Sequence, residues 1–240
     1  MNLCHFRSPK FLLISISIGL SLFSIPAFCQ RATLGVDLGQ TTDKYGSLPS
    51  SNALEAIIDG RITVLRGSGK QGEPSLVSGG EVRVPDDTSA HTVELAFFVG
   101  PEFHFGNFMI GFHGQARKIY QPSSEVDGQF FIRDNMLLFE LPVVAEYKFL
   151  QSRRAFIRAE GISEFNPRYS KSSNGVIAYP NPKLDHGYTL RGSIGYNFSR
   201  FYVKASYETR YFKFNPTNGN LTGLNNWRSD LVTGGVGFNW

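Results

Sequence analysis

The chain has 240 residues, 41% hydrophobic and 18% charged, with a formal net charge of +4. That length suits one ordinary domain or two small ones, and the composition excludes both a disordered chain and a polytopic helical membrane protein. Taking Arg7 and Lys10 away with the leader described next leaves +2, too weak a bias to argue for a nucleic-acid partner.

Residues 1–10 carry Arg7 and Lys10 with no acid, 11–23 are an uncharged apolar run, and 25–30 read IPAFCQ. This three-part pattern predicts a secretory signal peptide over residues 1–29. The apolar run of thirteen is shorter than the roughly 20 residues a spanning helix needs. Ala27 and Cys29 are the small residues at minus three and minus one of a cut before Gln30. A lipoprotein would keep Cys29, but Phe28 is bulky where that signal needs a small side chain. Both cysteines, Cys4 and Cys29, fall in the leader. The remaining chain is expected to have no disulfide, thiolate metal site or cysteine nucleophile.

Beyond the leader the recurring signal is a period of two, the mark of strands with one apolar and one polar face. Two segments compete for the first strand. Residues 32–41 set Ala32, Leu34, Val36 and Leu38 against Thr33, Gly35, Asp37 and Gly39. Residues 54–66 set Leu54, Ala56, Ile58, Ile62 and Val64 against Glu55, Asp59, Arg61 and Thr63. The earlier segment is preferred, which makes 42–91 one long external loop with a hairpin or strand of its own. From Thr92 the apolar face is Val93, Leu95, Phe97 and Val99, and the other holds Glu94, Ala96, Gly100, Glu102 and His104. Gly106 and Asn107 then make a tight turn into a strand with Phe108, Ile110 and Phe112 opposite Met109, Gly111, His113, Gln115 and Arg117. Further strands are read near 136–150, 155–165, 187–198, 201–214 and 229–240.

These strands run to about 11–15 residues, whereas globular strands run to about five or six and tilted membrane strands need roughly 9–11. Short connections near 106, 151 and 199 alternate with longer ones at 121–135, 166–186 and 215–228, as in outer-membrane barrels. The expected fold is an all-β, antiparallel, up-and-down transmembrane barrel over residues 30–240. Eight strands are preferred; if 54–66 and a segment near 77–84 also span, the count is ten.

The closing stretch 232–240 (VTGGVGFNW) places Val232, Val236, Phe238 and Trp240 on one face and ends on an aromatic residue. It resembles the assembly signal on the final strand of bacterial outer-membrane barrels. With 138–149 (LFELPVVAEYKF) and 206–212 (SYETRYF), it is similar to strands of bacterial porin-like outer-membrane barrel proteins, over about residues 92–240. The resemblance implies a place in the outer membrane of Gram-negative bacteria, with membrane lipid around the wall and the barrel assembly machinery as a partner of the last strand.

A soluble barrel shares the alternation but points its apolar face inward. Here the polar stripe mixes acids, bases and glycine in mid-strand, as a narrow lumen requires, and aromatic residues gather at strand ends, where interfacial girdles lie. The lumen is expected to hold Glu94, Glu102, Glu140, Glu146, Glu160, Glu164 and Glu208 against Arg117, Lys148, Arg158, Arg191, Lys204 and Arg210. Near-equal numbers allow these charges to pair throughout, which predicts a barrel closed by its own ion pairs.

Signals for catalysis are weak. His104 and His113 fall on the lumen face without metal-ligand spacing, and Ser163, Ser193 and Ser206 are not set beside a histidine by the pattern. Residues 67–72 (GSGKQG) lack phosphate-loop spacing and a following helix. No cofactor, metal or catalytic residue is expected, and no external ligand is identified. The leading function is a structural or surface-interaction barrel; the alternatives are a narrow porin for small solutes and, last, a lipid-modifying enzyme.

Overall fold

A computed structural model describes residues 31–46, 49–67, 71–86, 92–120, 124–126, 129–131, 135–150, 154–170, 183–215 and 226–240. The proposed signal peptide lies outside them. The described chain is all-β, and no described helix is long and apolar enough to cross a membrane.

The strands are β1 (Arg31–Tyr45), β2 (Ser51–Leu65), β3 (Pro74–Pro85), β4 (Val93–Phe105), β5 (Phe108–Phe112), β6 (Gly114–Tyr120), β7 (Ser124–Val126), β8 (Gln129–Phe131), β9 (Asn135–Phe149), β10 (Ala155–Ser170), β11 (Lys183–Phe198), β12 (Phe201–Asn215) and β13 (Asn226–Asn239). β1 to β4 and β9 to β13 pair antiparallel in sequence order, β5 and β6 both lie between β4 and β9, and β13 returns to pair with β1, Val36 facing Val236. Closure leaves no exposed sheet edge. The small β7–β8 hairpin stands apart in the connection between β6 and β9.

Strands β5 and β6 are two halves of one stave. Glu102 faces Gly111 and Val99 faces Gly114 along β4 in one unbroken register, and the same holds along β9, where Phe112 faces Val143 and Gln115 faces Glu140. The interruption falls at His113, whose amide donates to the Pro142 carbonyl at 2.9 Å. Proline has no amide to return the second bond of that pair, so the ladder skips a rung there.

Counted this way the barrel has ten staves. This corrects the preferred count of eight: residues 42–91 are not one external loop but contain β2 and β3, which join the wall between β1 and β4. The staves are 12–16 residues long where uninterrupted. The expected loop at 166–186 is also shorter than the alternation implied, because β10 extends to Ser170 and β11 begins at Lys183.

One end of the barrel, here the terminal end, gathers β1's start, Trp240 and the turns after β4, β9 and β11; Ala32 and Trp240 exchange backbone hydrogen bonds. At Gly106 the β4–β5 turn needs positive φ (64°) and the site faces open space, so glycine serves the backbone rather than packing. At the opposite, loop end β1, β3, β6, β10 and β12 finish and β2, β4, β9, β11 and β13 begin.

The faces are inverted relative to a soluble barrel. Val36, Leu38, Phe97, Leu141, Leu190, Ile194, Val232 and Phe238 point outward and are exposed, whereas Asp37, Glu94, Glu102, Arg117, Glu140, Glu208 and Arg210 point inward and are buried. Water on the outside would meet a continuous apolar surface, far beyond the few hundred Å² that monomeric soluble proteins leave bare.

Candidate functional site

The interior is the candidate site, and it divides in two. Toward the loop end it is filled by side chains. Arg83 on β3 donates from Nη1 and Nη2 to the two carboxylate oxygens of Glu208 on β12, at 2.6 and 2.7 Å, and from Nε to Glu81 at 2.7 Å. This bidentate fork crosses the lumen, joining strands on opposite sides of the sheet order. Arg117 donates to Glu94 at 2.7 Å and to Glu140 at 2.9 Å, and Gln115 also donates to Glu140. Arg210 bridges Glu94 (2.5 Å) and Glu208 (3.2 Å), closing the ring of charges. Glu55 lies 3.9 Å from Arg83.

An aromatic cap sits above this ring. Phe212 and Trp227 stack with centroids 4.9 Å apart, and the Arg210 guanidinium lies 5.9 and 5.8 Å from the two rings. The Trp227 indole N–H donates to Asp43 at 3.2 Å. Leu138 and Ile119 are also buried inward, and Glu164 accepts from Thr189 at 3.3 Å. The arginines and glutamates of the ring persist as buried charges because each pairs with an opposite one; an unpaired charge would carry the whole desolvation penalty.

Toward the terminal end the lumen opens into a cavity of about 1260 Å³. Arg191 forms its floor: Nε donates to Glu208 at 2.7 Å, Nη1 to Glu160 at 3.5 Å, and Nη2 lies 3.1 Å from Glu81. On the walls Lys204 sits 2.9 Å from Asp37 and 3.1 Å from Asp59, Lys148 lies 3.3 Å from Glu146, and Arg61 pairs with Glu102. Tyr202 lies flat over Gly35 and Gly237, where any Cβ would strike its ring or hydroxyl. His113 stacks on Phe98 with centroids 5.0 Å apart and has Nε2 3.2 Å from Glu102.

The structure thus distributes the lumen residues expected from sequence. Glu94, Arg117, Glu140, Glu208 and Arg210 come together in the filled half, and Glu160 and Arg191 mark the boundary. Glu102, Glu146, Lys148, Arg158 and Lys204 belong to the open half, and Glu164 stands aside with Thr189. Val232, Val236, Phe238 and Trp240 all face outward. Sequence reading missed Glu81 and Arg83, both on a segment expected as loop. It passed over Glu55, Asp59 and Arg61 with the first-strand candidate set aside. The i, i+2 pair Glu81 and Arg83, flanked outward by Val82 and Val84, is the signal that could have found them.

Of the residues considered for catalysis, Ser206 donates to Ser193 at 3.0 Å on the cavity wall, Ser163 faces outward, and His104 lines the cavity. His186 is exposed, its Nδ1 3.0 Å from Asp185. His91 lies outside the described residues.

No family model and no curated protein matches the chain. Among solved structures it is similar to Neisserial surface protein A (12% identity, TM-score 0.40, covering 86% of this chain and 96% of that one). It is also similar to the outer-membrane protease OmpT of Escherichia coli (11%, 0.38, 88% and 96%) and to an outer-membrane channel of Pseudomonas putida F1 (9%, 0.41, 90% and 98%).

Proposed function

We propose that the chain is a bacterial outer-membrane barrel protein with a structural or surface-interaction role. Its wall stands in lipid, its loop end faces outward, and its lumen is closed. The observation that carries this reading is the inversion of the faces: exposed Leu, Val, Ile and Phe outside, buried Glu and Arg inside. An exterior of that kind is stable in hydrocarbon and unstable in water. The assembly machinery is the proposed partner of β13, through the outward row that ends on Trp240.

Closure rests on the filled half. The Arg83–Glu208 fork, the Arg117 and Arg210 bridges and the Phe212–Trp227 stack occupy the section that a solute would have to cross. The reading assigns no catalysis. A second reading, a narrow pore, is favoured by one feature, the 1260 Å³ cavity that already occupies the terminal half of the path.

Planar-bilayer recording of the refolded protein separates the two. The closed reading expects no steady single-channel current, and large steady currents would replace it with the pore. Incubation with phospholipid or lipid A, followed for acyl release or transfer, is expected to give no turnover; clear turnover would overturn the non-enzymatic reading.

A further inference from the structure

Arg158 stands out among the cations of the open half. Its one ion pair among the described residues is to Glu146, at 4.0 Å. The acids around it are each held more closely by another base: Glu146 by Lys148 at 3.3 Å, Glu160 by Arg191 at 3.5 Å, and Glu102 by Arg61. Arg158 is therefore the most loosely paired of these cations, and its guanidinium lines the cavity with a quarter of the side chain accessible.

Its neighbours across the sheet are hydroxyls. Arg158 faces Ser193, Ser193 faces Ser206, and Ser206 faces Thr233, so four inward residues on β10 to β13 form one row perpendicular to the strands. All four line the cavity. Ser206 donates to Ser193 at 3.0 Å, which leaves the Ser193 hydroxyl hydrogen free to point into the cavity. No carboxylate interrupts the row. Arg66 and Arg154 stand at the cavity's mouth, where they raise the local concentration of anions.

We propose that this row is a binding site for a small phosphate-bearing solute that enters from the terminal end. A guanidinium offers two parallel N–H donors to two oxygens of a tetrahedral anion, and a hydroxyl row beside it serves a third. A planar carboxylate uses the fork alone and would bind more weakly. The cavity volume admits a solute of several heavy atoms together with its water.

Isothermal titration of the folded protein in non-ionic detergent, with about 0.15 M salt to screen rim charges, tests the assignment. The probes are inorganic phosphate and glycerol phosphate, with acetate for comparison; no phospholipid is present, so a signal reports the free solute. One saturable site is expected, with phosphate tighter than acetate. Arg158→Gln should weaken it at least about tenfold, and the double variant Ser193→Ala, Ser206→Ala about three- to tenfold. Arg228→Gln, on the outer wall, should leave it unchanged. A heat-dependent gel shift reports folding of each variant; should Arg158→Gln not fold, the serine variant decides. No saturation up to about 10 mM probe, or equal affinity in the folded variants and the parent, overturns the proposal whether or not the barrel conducts.

Discussion

The two halves of the lumen are lined by the same kinds of residue and behave differently. Toward the loop end, glutamates and arginines meet in forks of 2.5–2.9 Å, and Phe212 and Trp227 occupy the space above them. Toward the terminal end, the same residue types lie along the wall in mostly separate pairs, inward positions fall to the short side chains of Ser193, Ser206 and Thr233, and a cavity remains. Charge alone does not close a barrel of this width. Closure comes from long side chains that reach one another across the axis, with aromatic rings to exclude water; where inward positions fall to Ser and Thr, the lumen stays open.

The comparison predicts unequal sensitivity to substitution. Arg83→Met leaves Glu208 and Glu81 buried without their principal partner, and a loss of about 3–5 kcal/mol is expected. Urea unfolding in lipid vesicles followed by tryptophan fluorescence would measure it. Arg158→Gln, in the open half, should change stability by about 1 kcal/mol or less on the same assay. Equal losses would erase the distinction between the halves.

Trp227→Ala removes half of the aromatic cap and should also be severe, about 3–5 kcal/mol. Because the cap lies above the ion pairs, this variant should still pass no steady current in planar bilayers. Current on removing Trp227 alone would assign closure to the cap rather than to the charges. Leu190→Arg on the outer wall is expected to cost about 2–4 kcal/mol if its site lies near the membrane midplane, measured by the same unfolding. The smallest effect is expected for Arg228→Gln: this exposed side chain pairs with Asp230 at 2.8 Å on the outer wall, and its loss should register about 1 kcal/mol or less.

Staves β4 to β13 were legible from sequence because their outward positions are apolar in nearly unbroken series, as in Val93, Leu95, Phe97 and Val99. β3 was not. Its outward positions include Ser78 and Gly80 and its inward ones include Val77, so hydrophobicity carries no clear period across its middle. β2 has the same fault at Gly60, outward, and Ile57, inward and buried. With those two staves uncertain, the count fell to eight and Arg83, central to the ion pairs, went unseen. Inward orientation could be read residue by residue, but partnership could not. Arg83 and Glu208 are 125 positions apart, and only closure of the sheet brings them together.

The inverted orientation of the wall underlies every other conclusion. Single cysteines placed in turn at Val36, Asp37, Leu38, Val232, Thr233 and Gly234 in a cysteine-free background, refolded into vesicles, would each be labelled with a polarity-sensitive fluorophore. Quenching by a lipid-soluble nitroxide should be strong at 36, 38, 232 and 234 and weak at 37 and 233. The opposite alternation, or equal quenching at all six positions, would contradict the account.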